Sequence, residues 1–136
     1  MTIAVTETMS LVAFTLPGTP HSARMARFYV RAALTYHNLG DYAGDVETVT
    51  SELVSNAVTH ANAQAISLEL MRLGEDSDAI VVVVTDPSPL PPVKCHPDED
   101  TEHGRGLHLI EACSTRWGWT PQDPGKAVFA IFTTEA

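Results

Sequence analysis

Apolar positions along the chain follow two periods. Ile66, Leu68 and Leu70 alternate with Ser67, Glu69 and Met71, the period of a strand with one buried face. Ala79 to Thr85 is an unbroken, mostly β-branched run, which predicts a central strand able to be covered on both faces. The polar turn at 74–78 joins the two into a hairpin. Leu11, Val12, Phe14 and Leu16 predict a first strand over Met9 to Leu16, closed by Pro17-Gly18. Elsewhere the spacing is helical. Ala23, Ala26, Val30, Ala33 and Leu34 recur at helical intervals until Gly40, and Thr19-Pro20 offers a cap followed by proline at the first helical position. That predicts a helix of about five turns. Val46, Val49, Leu53, Ala57 and Ala61 predict a second helix from about Asp45 to Asn62, with Asp45 and Glu47 at the positive end of its dipole.

Periodicity then lapses. The segment Asp86 to Glu102 holds Pro87, Pro89, Pro91, Pro92 and Pro97, which argues against regular structure, and a loop this long in a small domain usually has a task. Gly104-Arg105-Gly106 precedes Leu107, Leu109, Ile110 and Ala112 and reads as a glycine hinge opening a short helix. Trp117 to Thr120 and Ala127 to Phe132, joined through Gln122-Asp123-Pro124-Gly125, form a second hairpin. The order β-α-α-β-β-loop-α-β-β clusters strands rather than alternating them with helices. It predicts an α+β fold, a two-layer sandwich of a mixed or antiparallel sheet with helices on one face. Residues 1–8 are expected to be a flexible N-terminal tail and 9–136 a single domain.

Composition narrows the function. With 44% hydrophobic and 18% charged residues the chain has globular composition. Eight basic against 17 acidic residues give a net charge of -9, which disfavours attraction to nucleic acid phosphates or an anionic membrane. No apolar stretch approaches the roughly 20 residues that span a bilayer, and no basic region precedes an apolar segment at the N-terminus. A soluble, cytoplasmic protein with no direct nucleic-acid or membrane contact is expected. Cys95 and Cys113 then read as reduced thiols. Together with His96 and His103 they match no compact zinc-ligand spacing.

Three segments carry candidate chemistry. Glu52, Asn56 and His60 lie four apart, so on a helix each is displaced about 40° and roughly 6 Å from the last, forming one polar stripe. A carboxylate, an amide and an imidazole there suit a base, an oxygen ligand for Mg²⁺ and a phosphate contact; a solvated helix face shows the same stripe. Asp86 ends the buried strand, where a carboxylate beside a cleft accepts from an exocyclic amine; an Asp before proline also simply forms turns. Gly104-Arg105-Gly106 at a helix start offers backbone N–H groups, the dipole and a guanidinium to an anion; glycines also merely end loops.

Their joint occurrence in fixed order shifts the balance toward the functional readings. Glu52 to His60, then Asp86-Pro87-Ser88-Pro89, then Gly104 to Ile110 resemble the ATP-binding domain shared by gyrase-type ATPases, histidine kinases and MutL, the GHKL superfamily with the Bergerat fold. The branch it most resembles is the single-domain anti-sigma factor serine kinases of the RsbW and SpoIIAB type, over about Leu11 to Phe132, including Arg116-Trp117-Gly118 and Gly125-Lys126. The resemblance implies ATP and Mg²⁺ as cofactors, with Asn56 coordinating the metal and Glu52 acting as catalytic base toward an acceptor hydroxyl. It implies that Asp86 receives the adenine amine. Gly104, Arg105 and Gly106, followed by Leu107, would face the phosphates at the end of an ATP lid at about 87–105, and His60 would contact phosphate. The chain departs from the family pattern twice. Pro87-Ser88-Pro89-Leu90-Pro91-Pro92 replaces a glycine-bearing turn, and Ala127 stands where the family places a threonine of the adenine water network.

The implied activity is transfer of phosphate from ATP to a seryl hydroxyl of an anti-sigma antagonist of the STAS type, by a protein that also binds a sigma factor and forms a homodimer. The alternative is a binding module of the same fold that sequesters a sigma factor or other partner and transfers phosphate slowly or never. No phosphoacceptor helical hairpin precedes the domain, so histidine-kinase chemistry is not expected.

Overall fold

The computed structural model describes residues 8–61, 64–74, 79–92 and 104–133. Five strands, β1 (Thr8–Pro17), β2 (Ala65–Leu73), β3 (Ala79–Asp86), β4 (Arg116–Pro121) and β5 (Lys126–Phe132), form one sheet of order β1-β2-β3-β5-β4 in which every pair is antiparallel. Among the described residues three α-helices, α1 (Ser22–Tyr36), α2 (Ala43–Ala61) and α3 (Gly104–Cys113), complete the α+β fold, with a 3₁₀ turn at Gly40–Tyr42 ahead of α2.

The register shows why the sheet has one buried face. Leu68 pairs with Val84 and Leu70 with Val82, and across the next seam Val82 pairs with Ala130 and Val84 with Val128. Strand side chains alternate, so these rows share a face, and all of these residues are buried. Val30 and Leu34 of α1, Val46, Val49, Leu53 and Val54 of α2, and Leu107 and Ile110 of α3 close over them in one cluster. Each such side chain contributes about 1.5–3 kcal/mol by leaving water. On the opposite face Val81 is buried while Val83 and Thr85 are only partly covered, so the expected cover on both faces of β3 is met in part.

Local chemistry moves the first helix from its predicted limits. Thr19 does not cap α1: its carbonyl accepts from Ser22 N at 3.0 Å in a turn, Ser22 Oγ donates to the Pro17 carbonyl, and the cap position falls to His21 without a side-chain bond. The helix also stops at Tyr36 rather than near Gly40, because Asn38 adopts a left-handed conformation (φ 60°) and Leu39 N donates to the Leu34 carbonyl at 2.7 Å, satisfying a carbonyl that the helix leaves open. α1 and α2 are tied on the surface by Arg31 and Glu47 at 2.6 Å, a solvent-screened pair that adds little to stability.

Candidate functional site

The core rows of β3 and β5 end in charge. Below the Val84–Val128 pair the next residues on the same face are Asp86 and Lys126, direct partners in the register. Their side chains are 2% and 7% exposed, and Lys126 Nζ donates to Asp86 Oδ1 at 3.0 Å. The same oxygen accepts from Ser88 N at 2.8 Å, an Asx turn that starts the proline-rich loop. Ser88 Oγ in turn accepts from Leu90 N at 3.2 Å. Pro87 to Pro92 is therefore an ordered connection built on side-chain turns, and Asp86 combines the turn-forming role with its place in a cleft.

That cleft is a cavity of about 140 Å³ lined by Asn56 and Leu53 of α2, Val84 and Asp86 of β3, Leu107 of α3, Lys126 and Val128 of β5 and the loop's Leu90 and Pro92. Segments read separately from the sequence converge here: Asn56, Asp86 and Leu107 meet on one cavity. Its walls are largely apolar and its polar groups few, as in small-molecule sites. The Asn56 amide has no hydrogen-bond partner among the described residues and is half-exposed toward the cavity. Mg²⁺ keeps several waters and takes one or two protein oxygens beside substrate phosphates, so a lone amide oxygen fits that requirement.

Glu52 sits one turn earlier on α2, outside the cavity lining. Burial raises its pKa above the usual carboxylate value, the direction that strengthens a general base. Gly104, Arg105 and Gly106 form the first turn of α3 itself instead of a hinge before it, and Leu107 brings that turn to the cavity edge. The side chains of His60 and Arg105 and residues 93–103 of the expected lid, with Cys95, His96 and His103, lie outside the described residues. Among the described residues no cluster of three metal-ligating side chains occurs, and Cys113 is a half-buried free thiol. A more open cavity of about 270 Å³ near Asp41, Asp45 and Thr133 contains none of the sequence-predicted site residues.

Lys126 is the site residue that the sequence reading passed over. Its signal was a lysine opening an otherwise apolar strand directly after Gly125, a position normally read as solvent-facing.

A five-stranded antiparallel sheet with helices over one face and an asparagine and an aspartate meeting at the cavity defines a GHKL-type ATP-binding fold. Residues 16–132 match the histidine kinase-like ATPase domain, and the chain belongs to that family. Among solved structures it is similar to the RsbU and RsbW domains of Rv1364c from Mycobacterium tuberculosis, with a TM-score of 0.66, 21% identity and coverage of 94% of this chain. It spans 32% of that chain. No curated protein sequence gives a significant match. No helix among the described residues is long and apolar enough to cross a membrane.

Proposed function

We propose that the chain binds Mg²⁺-ATP in the cavity between α2, β3, β5 and α3 and acts as a regulatory protein-serine kinase toward an anti-sigma antagonist. The observation that carries this is the convergence of Asn56, Asp86 and Leu107 on one cavity. Asp86 holds the base end and Asn56 the metal end, and the backbone N–H groups of the first turn of α3, which Leu107 brings to the cavity, would meet phosphate. Bound Mg²⁺ would neutralise charge developing on the phosphate oxygens. In the reaction the seryl oxygen bonds to the γ-phosphorus while the bond to the β,γ-bridging oxygen breaks and ADP leaves. Glu52 takes the proton that the hydroxyl gives up.

The RsbW domain in the similar structure supports the anti-sigma setting, as does the sequence resemblance. A second reading, a module that binds its partner but transfers no phosphate, is favoured by the engagement of Asp86 Oδ1 with Lys126 and Ser88. Labelled phosphate appearing on a seryl antagonist selects the first reading.

Adenine selectivity follows from Asp86. Its carboxylate accepts from the adenine amine and opposes the oxygen at the same place in guanine. GTP is expected to bind at least about tenfold more weakly than ATP, and Asp86→Asn to weaken ATP by a similar factor, given that a hydrogen bond to a charged group contributes about 1.5–3 kcal/mol. Competition binding with a fluorescent ATP analogue measures both. Equal affinity for GTP removes Asp86 from this role.

A further inference from the structure

We infer that Lys126 is a second base-reading residue, donating to a ring nitrogen of the purine that Asp86 engages through its amine. This rests on the ATP-binding reading of the cavity and goes beyond it. Hydrogen bonds to the Asp86 side chain from described residues all fall on Oδ1, from Lys126 Nζ at 3.0 Å and Ser88 N at 2.8 Å. Oδ2 has no partner among the described residues and can accept from a ligand amine. The Lys126 ammonium carries three protons, and among the described residues only Asp86 receives one. A buried ammonium is costly unless its hydrogen bonds are made, and this one lines the cavity beside Leu53, Val84 and Val128.

The register fixes how the two groups stand. Asp86 and Lys126 are opposite each other on adjacent strands and project on the same face, so an acceptor and a donor lie side by side at one cavity wall. Adenine presents the complementary pair, an amine donor next to the N1 acceptor. In the same pose guanine presents an oxygen next to an N–H, opposed at both points. Ala127 pairs with Thr85 on the opposite face of the sheet and does not line the cavity. At this end of β5 the cavity wall takes its donor from Lys126.

Three nucleotides test this: ATP, 1-deaza-ATP, which lacks the N1 acceptor, and purine riboside triphosphate, which keeps N1 and lacks the amine. Each is titrated by competition against a fluorescent ATP analogue. Wild type is expected to bind 1-deaza-ATP about tenfold or more weakly than ATP, and Lys126→Met to bind the two within about twofold, because the charge-assisted bond is gone. Purine riboside triphosphate is expected to stay weaker than ATP for both proteins, because it reports on Asp86. Lys126→Arg, which keeps a donor, should retain discrimination against 1-deaza-ATP, and the wild-type ratio decides the matter should Lys126→Met fail to fold. Equal wild-type affinity for ATP and 1-deaza-ATP overturns the role of Lys126 and leaves ATP binding standing. No binding of any of the three by folded protein overturns the ATP-binding reading itself, and Lys126 with it.

Discussion

Glu52→Ala is expected to slow phosphate transfer to a seryl substrate by about 10²–10⁴-fold while changing ATP affinity by less than about threefold, since a general base acts on the transition state and adds little to ground-state binding. Asn56→Ala is expected to lose both, because a metal ligand supports the bound triphosphate as well as its transfer. The contrast follows from position: Asn56 lines the cavity, whereas Glu52 lies one turn away on α2 and outside the lining. Burial raises the Glu52 pKa. Its basic form is therefore lost at a higher pH than that of an ordinary glutamate, and the acid limb of the rate profile should lie correspondingly higher and disappear in Glu52→Ala. Single-turnover transfer with calorimetry on both variants measures this, and a Glu52→Ala protein as fast as wild type removes Glu52 as the base.

Gly125→Ala is expected to destabilise the fold by about 3 kcal/mol or more, a size reached when left-handed strain and a hard backbone clash combine. Gly125 closes the β4–β5 turn at φ +92°, and a Cβ there would fall 2.0 Å from the Asp86 carbonyl oxygen and 2.7 Å from Pro87 Cα. Both neighbours are backbone at the mouth of the cavity, so relief of the clash has to move Asp86. Gly40→Ala is the matching control, because no atom lies within 4 Å of its Cβ and its φ is not positive; it should shift stability by less than about 0.5 kcal/mol. Urea unfolding compares the two. A Gly125→Ala loss under about 1 kcal/mol contradicts the close approach of the turn to β3.

Much of this architecture is legible along the chain wherever burial is one-sided. Ile66, Leu68 and Leu70 alternate because their strand has one core face, and the structure buries all three. The limits of α1 were less legible. A capping sequence at Thr19-Pro20 was outcompeted by the bond from Ser22 to the Pro17 carbonyl, and Asn38 closed the helix early through its left-handed backbone. For the site, Asn56 and Asp86 carried recognisable motifs. Lys126 lies in the matching Gly125-Lys126 segment, yet its role was not legible, because it depends on a strand partner 40 residues away. Local pattern gives a lysine to solvent, whereas the register of β3 and β5 puts it in the core row opposite a carboxylate.

ATP is proposed to occupy this cavity through a metal on Asn56 and a base edge on Asp86. Calorimetric titration of folded wild-type protein with ATP, with and without Mg²⁺, is the deciding measurement. Saturable one-site binding at micromolar to submillimolar ATP is predicted, stronger with Mg²⁺ and lost in Asn56→Ala, because affinity of that order needs only about 5–8 kcal/mol from such a site. No heat of binding at millimolar ATP under either condition, from protein with an intact cooperative unfolding transition, would contradict it.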